Sequence, residues 1–282
     1  ISGDHTVEVQ KKCFELGISD FIAKPFNNAI IKQRVKNTAE FFDYKLKLED
    51  KVAEQTNVLR KAYRTLQIQA EHLKKKNQQI IEMLGTVVEY RSTESGEHIQ
   101  RVKGYTRILA EAVMEDYPEY ELTKEKIDII ESVSALHDIG KIAIPDRILL
   151  KPGRLTSEEF EYMKSHTIRG CELLDSIKED WNDDTMKYAY EICRHHHERY
   201  DGKGYPDGLV GDEIPICAQL VSVADVYDAL VNERCYKDAF SKEDAYRMII
   251  TGECGVFSPK LMESFRKVRP AFEKLANKSF RK

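Results

Sequence analysis

No apolar run in this sequence approaches the ~20 residues that a membrane-spanning helix needs, and no secretory signal opens it. No charge of one sign dominates: 44 basic residues face 48 acidic ones, a formal net charge of −4. That near balance offers no global basic field, and without a basic stripe or recognition helix nucleic acid is not an expected partner. The six cysteines form no C-x-x-C pair and no short secreted framework, so they read as reduced thiols of a cytoplasmic protein. The chain opens on Ile1 rather than methionine, which we read as a fragment or processed form. Its 282 residues allow one to three domains.

Residues 1–40 are too few to build a core alone. Within them "KKCFELGISDFIAKPFNNAIIKQRV" reads as a helix, a short apolar strand (Phe21 to Ala23), a Lys24-Pro25 turn and a second helix. That is a piece of an α/β sheet. The pair "ISG" and "GISDFIAKPF" resembles the last third of a response-regulator receiver domain. The resemblance implies Ser2 at the switch hydroxyl position and Lys24 at the phosphate-sensing lysine. The phosphoacceptor aspartate belongs to the earlier part of such domains. This stretch is therefore not expected to accept a phosphoryl group, and a sensor kinase is an expected partner only of an intact receiver.

Between about Thr38 and Tyr90 proline is missing and glycine occurs once, at Gly85. Val52, Leu59, Leu66, Leu73, Ile80 and Val87 recur every seven residues, with Thr56, Tyr63, Ala70, Asn77 and Leu84 four positions after each of the first five. These are d and a positions of a coiled coil, and Asn77 at an a position is the kind of residue that fixes register. The segment 41–92 is read as a coiled-coil linker helix, and a parallel homodimer through residues 52–88 is expected.

From Arg91 onward no alternating β pattern occurs. "TSEEF" is a capping box of Thr156 with Glu159, "DGKGYPDGLVGDEIP" is a glycine- and proline-rich loop, and "SKEDAYRMI" and "SPKLMESFRKV" each read as a capped amphipathic helix. The fold class is mainly α, with an all-α domain over 93–282.

The chemistry gathers in that domain. Glu94 and His98 stand four residues apart, hence on one helical face. His137 and Asp138 are adjacent, His166 follows Phe160 and Met163 on the inward side, "RHHHERYDGKGYP" carries three neighbouring histidines, and Asp225 and Asp228 sit in an apolar helix. Each alone has a bland reading as a core or surface residue. Imidazoles and carboxylates recurring on separate helices of one bundle point to a metal site, with donors suited to iron, manganese or zinc.

The stretches "HDIGK", "IPDRILLKPGRLTSEEFEYMKSHT", "HHERYDGKGYPDGL", "IPICAQLVSVADVYDAL" and "RCYK" strongly resemble the HD-GYP branch of the HD metal-dependent phosphohydrolases, over residues 91 to 265. The resemblance implies metal ligands Glu94, His98, His137, Asp138, His166, His196, His197 and Asp225, with Asp138 bridging and His195 an extra. It implies two or three divalent transition-metal ions, iron or manganese first, the third depending on Glu94. Hydrolysis of cyclic di-GMP to the linear dinucleotide, or on to GMP, by a metal-bridging hydroxide is then expected, in a bacterial protein. Asp138 and Lys141 fall at catalytic positions, and Lys141, Tyr205, Arg234 and Lys237 at substrate-binding ones. The sequence departs from the common pattern in "VNERCYK", with Val231 and Cys235, and at Ser258, where an aspartate is usual. Both bear on substrate affinity and loop geometry rather than on metal. The alternatives are a phosphodiesterase specific for the mixed cyclic GMP-AMP, and a non-catalytic effector whose GYP loop binds a partner such as a diguanylate cyclase. A mixed-valent iron oxygenase of the same fold has no need of the phosphate-binding cations Arg234 and Lys237.

Overall fold

The protein is described from a computed structural model, which covers residues 6–18, 22, 24–25, 27–92, 96–177, 181, 183–232 and 239–278. Two compact units divide the chain, Ile1–Leu73 and Lys74–Lys282. The strand expected over Phe21 to Ala23 and the switch position Ser2 lie outside the described residues.

In the first unit, α1 (Val7–Glu15) is followed by the start of α2 (Asn28–Arg91), a single helix of 64 residues. The helix reading that contained Ile30 and the coiled-coil reading therefore merge, because no proline or helix cap separates them. Asn27 opens α2, its side-chain oxygen accepting from the Ala29 amide at 2.8 Å. Pairs such as Lys47 with Asp43 at 2.6 Å line its surface, each worth only a few tenths of a kcal/mol. The heptad residues Leu59 and Leu66 are 71% and 63% exposed. So long an apolar stripe in water is the feature that pairing would remove.

In the second unit the closing turns of α2 bury a different face, Ile81, Gly85, Val88 and Glu89. Gly85 is required there, since a Cβ would strike the carbonyl oxygen of Ala135. The centre of the unit is α3 (Gly96–Asp116), packed against α4 (Lys124–Val133), α9 (Ile216–Val231) and α11 (Pro259–Ala276). Tyr105 of α3 stacks on Phe272 of α11 at 4.7 Å and meets Tyr227 of α9 edge-on at 5.1 Å. Each such buried ring contributes on the order of 1.5–3 kcal/mol by leaving water. The short helices α5 (Asp146–Leu149), α6 (Ser157–Lys164), α7 (His166–Ser176), α8 (Asp183–His195) and α10 (Lys242–Ile250) complete the unit.

The capping box is formed as expected: Thr156 Oγ1 accepts from the Glu159 amide, and Glu159 accepts from the Thr156 amide. Ser241 caps α10 through the Asp244 amide at 3.0 Å. Ser258 does not cap α11 with its side chain, and that helix instead opens on Pro259, whose fixed φ suits a first turn. Among the described residues the only β-type pairing is one isolated bridge between Asp201 and Val210. The fold is all-α over this unit, and no described helix is long and apolar enough to cross a membrane.

Candidate metal centre

Helix α4 tightens into a 3-10 turn at Ser134–Leu136, delivers His137 and Asp138, and re-forms a 3-10 turn at Ile139–Ala143. Gly140 lets this turn lie against the start of α7, because a Cβ there would strike the His166 carbonyl. His166 is the first residue of α7, after a break at Ser165, rather than a continuation of α6. His196 and His197 follow directly on the end of α8, His98 lies on α3 and Asp225 on α9. The sequence scatters these side chains; the packing of α3, α7, α8 and α9 brings them to one buried point.

The imidazoles are locked in one tautomer. His137 Nδ1 donates to the Ser134 carbonyl at 2.8 Å, His166 Nδ1 to Met163 at 2.8 Å and His196 Nδ1 to Ile192 at 3.0 Å. A carbonyl only accepts, so Nδ1 carries a proton and Nε2 is the nitrogen turned toward Asp138. His98 Nδ1 donates instead to Asp228 Oδ2 at 2.8 Å, and Arg101 grips Asp228 through Nε at 2.6 Å and Nη2 at 3.0 Å. Second partners of this kind are how proteins orient metal-binding histidines.

The inward nitrogens surround Asp138. Its Oδ2 lies 3.3 Å from His137 Nε2, and its Oδ1 lies 3.1 Å from His166 Nε2 and 3.7 Å from His196 Nε2. Asp225 Oδ1 lies 3.8 Å from His98 Nε2 and 4.0 Å from His137 Nε2. Candidate ligand atoms of Asp138, His166, His196 and His197 fall within 4.8 Å of one another, as do those of Glu89, His98 and His137. The Nε2 atoms of His137, His166 and His196 and Asp138 Oδ1 are buried without a hydrogen bond. Orphaned polar atoms of this number are costly, and this donor set fits divalent cations on both sides of Asp138.

The charges agree. Burial pushes the Asp138 carboxyl up, but Lys141 and His137 outweigh it and hold it well below the usual carboxylate range. Burial likewise lowers His137, yet the carboxylates of Asp138, Asp225 and Glu89 overcome that and raise it to about 10. Burial, with the charges of His196 and His166, holds His197 well below its ordinary value. The cluster thus keeps Asp138 ionised and attracts positive charge.

Of the residues singled out from sequence, His98, His137, Asp138, His166, His196, His197 and Asp225 meet here. Lys141 Nζ lies 2.6 Å from Asp138 Oδ2. Tyr205 stacks on His197, ring centroids 4.7 Å apart. Glu94, Arg234 and Lys237, with Cys235, lie outside the described residues. His195 is turned away from the centre, its Nδ1 3.5 Å from Asp207, which Arg194 also holds.

Sequence reasoning missed several partners. Asp228 was visible as an acid in an apolar helix, three residues after Asp225, but its link to His98 was not. Glu198 was part of the quoted motif: 2% exposed, it accepts from the amides of Asp207, Gly208 and Leu209 at 2.7, 3.0 and 3.1 Å and so ties the GYP loop to the histidine pair. Arg199 donates to Ser222 Oγ at 2.7 Å and to the Glu198 carbonyl at 3.0 Å, joining that pair to α9. Glu89 and Arg91, at the end of a helix read as a coiled coil, carried no signal.

An all-helical domain that converges imidazoles and carboxylates on one buried aspartate is the architecture of a helical metalloprotein binding divalent ions. More narrowly, residues 62–254 match the family model described as HD domain, and the chain belongs to the HD domain family. It is 35% identical over 272 residues to a probable cyclic di-GMP phosphodiesterase of Vibrio cholerae serotype O1, covering 94% of this chain and 59% of that protein. It is 33% identical over 275 residues to the cyclic di-GMP phosphodiesterase response regulator RpfG of Xanthomonas campestris pv. campestris, covering 98% of this chain and 68% of that one. The chain thus spans 59% and 68% of the lengths of these relatives. Among solved structures, a cyclic GMP-AMP specific phosphodiesterase of V. cholerae shares the fold at a TM-score of 0.51 and 16% identity, over 72% of this chain and 51% of that one.

Proposed function

We propose that the chain is a metal-dependent phosphodiesterase that hydrolyses cyclic di-GMP, acting as the output part of a two-component response regulator. The observation that carries this reading is the buried Asp138, whose two oxygens face separate sets of imidazoles. Asp138 with His98, His137 and Asp225 would hold one ion, and Asp138 with His166, His196 and His197 a second. Glu94 is the residue proposed for a third, and iron or manganese suits these donors. When bound, such ions acidify water, polarise a phosphoryl group and take up its developing charge.

The chain's own side chains do the rest. The Nδ1 hydrogen bonds fix the rings of His98, His137, His166 and His196, so these donors are ordered before any ligand arrives. Lys141, beside Asp138, is placed to neutralise a phosphate oxygen, and Arg234 and Lys237 are proposed to hold the other phosphate. Tyr205 on His197 forms an aromatic wall to the substrate site, held by Glu198 through the loop. Hydrolysis adds water across one P–O3′ bond, giving the linear dinucleotide, and a second round gives GMP.

We further read residues 1–40 as the end of a receiver, 41–92 as the coiled-coil linker and 93–282 as the HD-GYP domain. The naming of a similar protein as a response regulator supports that order. The described cysteines are all free thiols, which suits the cytoplasm. Asp138→Ala is expected to abolish hydrolysis of cyclic di-GMP in the presence of manganese or ferrous iron. Activity that survived this change would remove the mechanism. Turnover of cyclic GMP-AMP alone would move the substrate, and partner binding without any turnover would favour the effector.

A further inference from the structure

The last turn of α2 reaches Lys141 twice. Glu89, 1% exposed, places Oε1 3.6 Å from Lys141 Nζ, and that oxygen has no hydrogen-bond partner. Two residues on, Arg91 Nη1 donates to the carbonyls of Lys141 at 3.0 Å and Ile142 at 2.7 Å, while Nη2 donates to the carbonyl of Ile144 and the carboxylate of Asp146, both at 2.7 Å. One helical turn therefore addresses both the ammonium of Lys141 and the main chain that carries it.

A buried carboxylate is costly unless it faces a positive charge. Glu89 also cannot be explained as a surface residue of the coiled coil, because it lies on the face of α2 that packs inward. Asp138 lies nearer to Lys141, at 2.6 Å. Asp138 is the residue proposed to be committed to cations, and an ammonium beside divalent cations is repelled by them. A second carboxylate 3.6 Å from the ammonium would hold it beside the site against that repulsion.

We propose that Glu89 is a positioning residue for the reaction, holding the Lys141 ammonium where it meets a substrate phosphate, with Arg91 fixing the backbone beneath it. This rests on the reading of Lys141 as a phosphate-binding group. On this reading Glu89 acts through Lys141; its carboxylate also lies within 4.8 Å of candidate ligand nitrogens of His98 and His137, so metal content separates positioning from ligation.

The test is a double-mutant cycle on the full chain, with kcat/KM for cyclic di-GMP, metal content and thermal midpoint measured for each variant. Lys141→Met is expected to lower kcat/KM about 100-fold, and the isosteric Glu89→Gln about tenfold, without loss of metal. In the Lys141→Met background Glu89→Gln is expected to change kcat/KM by less than about twofold. Glu89→Asp, which keeps the charge, should recover part of the loss. The melting arm is independent of turnover: Lys141→Met should melt below the wild type, and adding Glu89→Gln should raise the midpoint again, because an unpaired buried carboxylate has been removed. Losses that multiply in the double variant would overturn the proposal, as would a metal equivalent lost in Glu89→Gln, which would make Glu89 a ligand. If the wild type itself turns over no cyclic dinucleotide, the phosphodiesterase reading fails, and the melting arm alone decides whether Glu89 and Lys141 are coupled.

Discussion

Asp228 is 2% exposed, accepts from His98 Nδ1 and is forked by Arg101, so it sets the tautomer of a ring that it never shares a ligand with. Asp228→Asn removes the charge that answers Arg101 and weakens the hold on His98. Metal affinity, measured by competition with a chelator, is expected to fall about 10–100-fold while the helix content is unchanged. Affinity equal to the wild type would show that His98 is oriented by packing alone. The side chains that converge on Asp138 were legible in the sequence as proposed ligands, because adjacent residues such as His137-Asp138 and His196-His197 survive as recognisable words. Asp228, Arg101 and Glu89 were not. Their partners lie more than 50 residues away in the chain, and only the packing of α2, α3 and α9 says which face each turns inward.

At the level of elements, the loop after α8 is organised around one carboxylate. Glu198 satisfies three successive loop amides at Asp207, Gly208 and Leu209, and hydrogen bonds to a charged acceptor contribute about 1.5–3 kcal/mol each. Glu198→Ala is expected to speed hydrogen exchange at those three amides and to raise KM through the loosened Tyr205. Unchanged exchange there would mean that Arg194 and Asp207 hold the loop instead. The glycine and proline spacing announced a loop, but its anchor was hidden inside a motif read for its histidines. The heptads of α2 were equally legible, since periodicity is a local property. The break at Ser165, which starts α7 on His166, was not, because no proline or glycine marks it.

For the whole chain, the heptad residues leave an apolar stripe along α2, with Leu59, Leu66 and Leu73 all more than 60% exposed. Pairing with a second copy of the same helix removes that surface from water. The chain is expected to be a dimer by static light scattering, and Leu59→Glu with Leu66→Glu to be a monomer that still binds metal. A monomeric wild type would leave the stripe to a different partner.

Asp138 and the rings around it are the centre of the proposed chemistry. The most direct measurement is elemental analysis of the protein purified without oxygen, with hydrolysis of cyclic di-GMP assayed on the same sample. Two or three iron or manganese ions per chain together with turnover is the predicted result, the count deciding the role of Glu94. A chain that holds no metal under any loading condition would contradict the central claim.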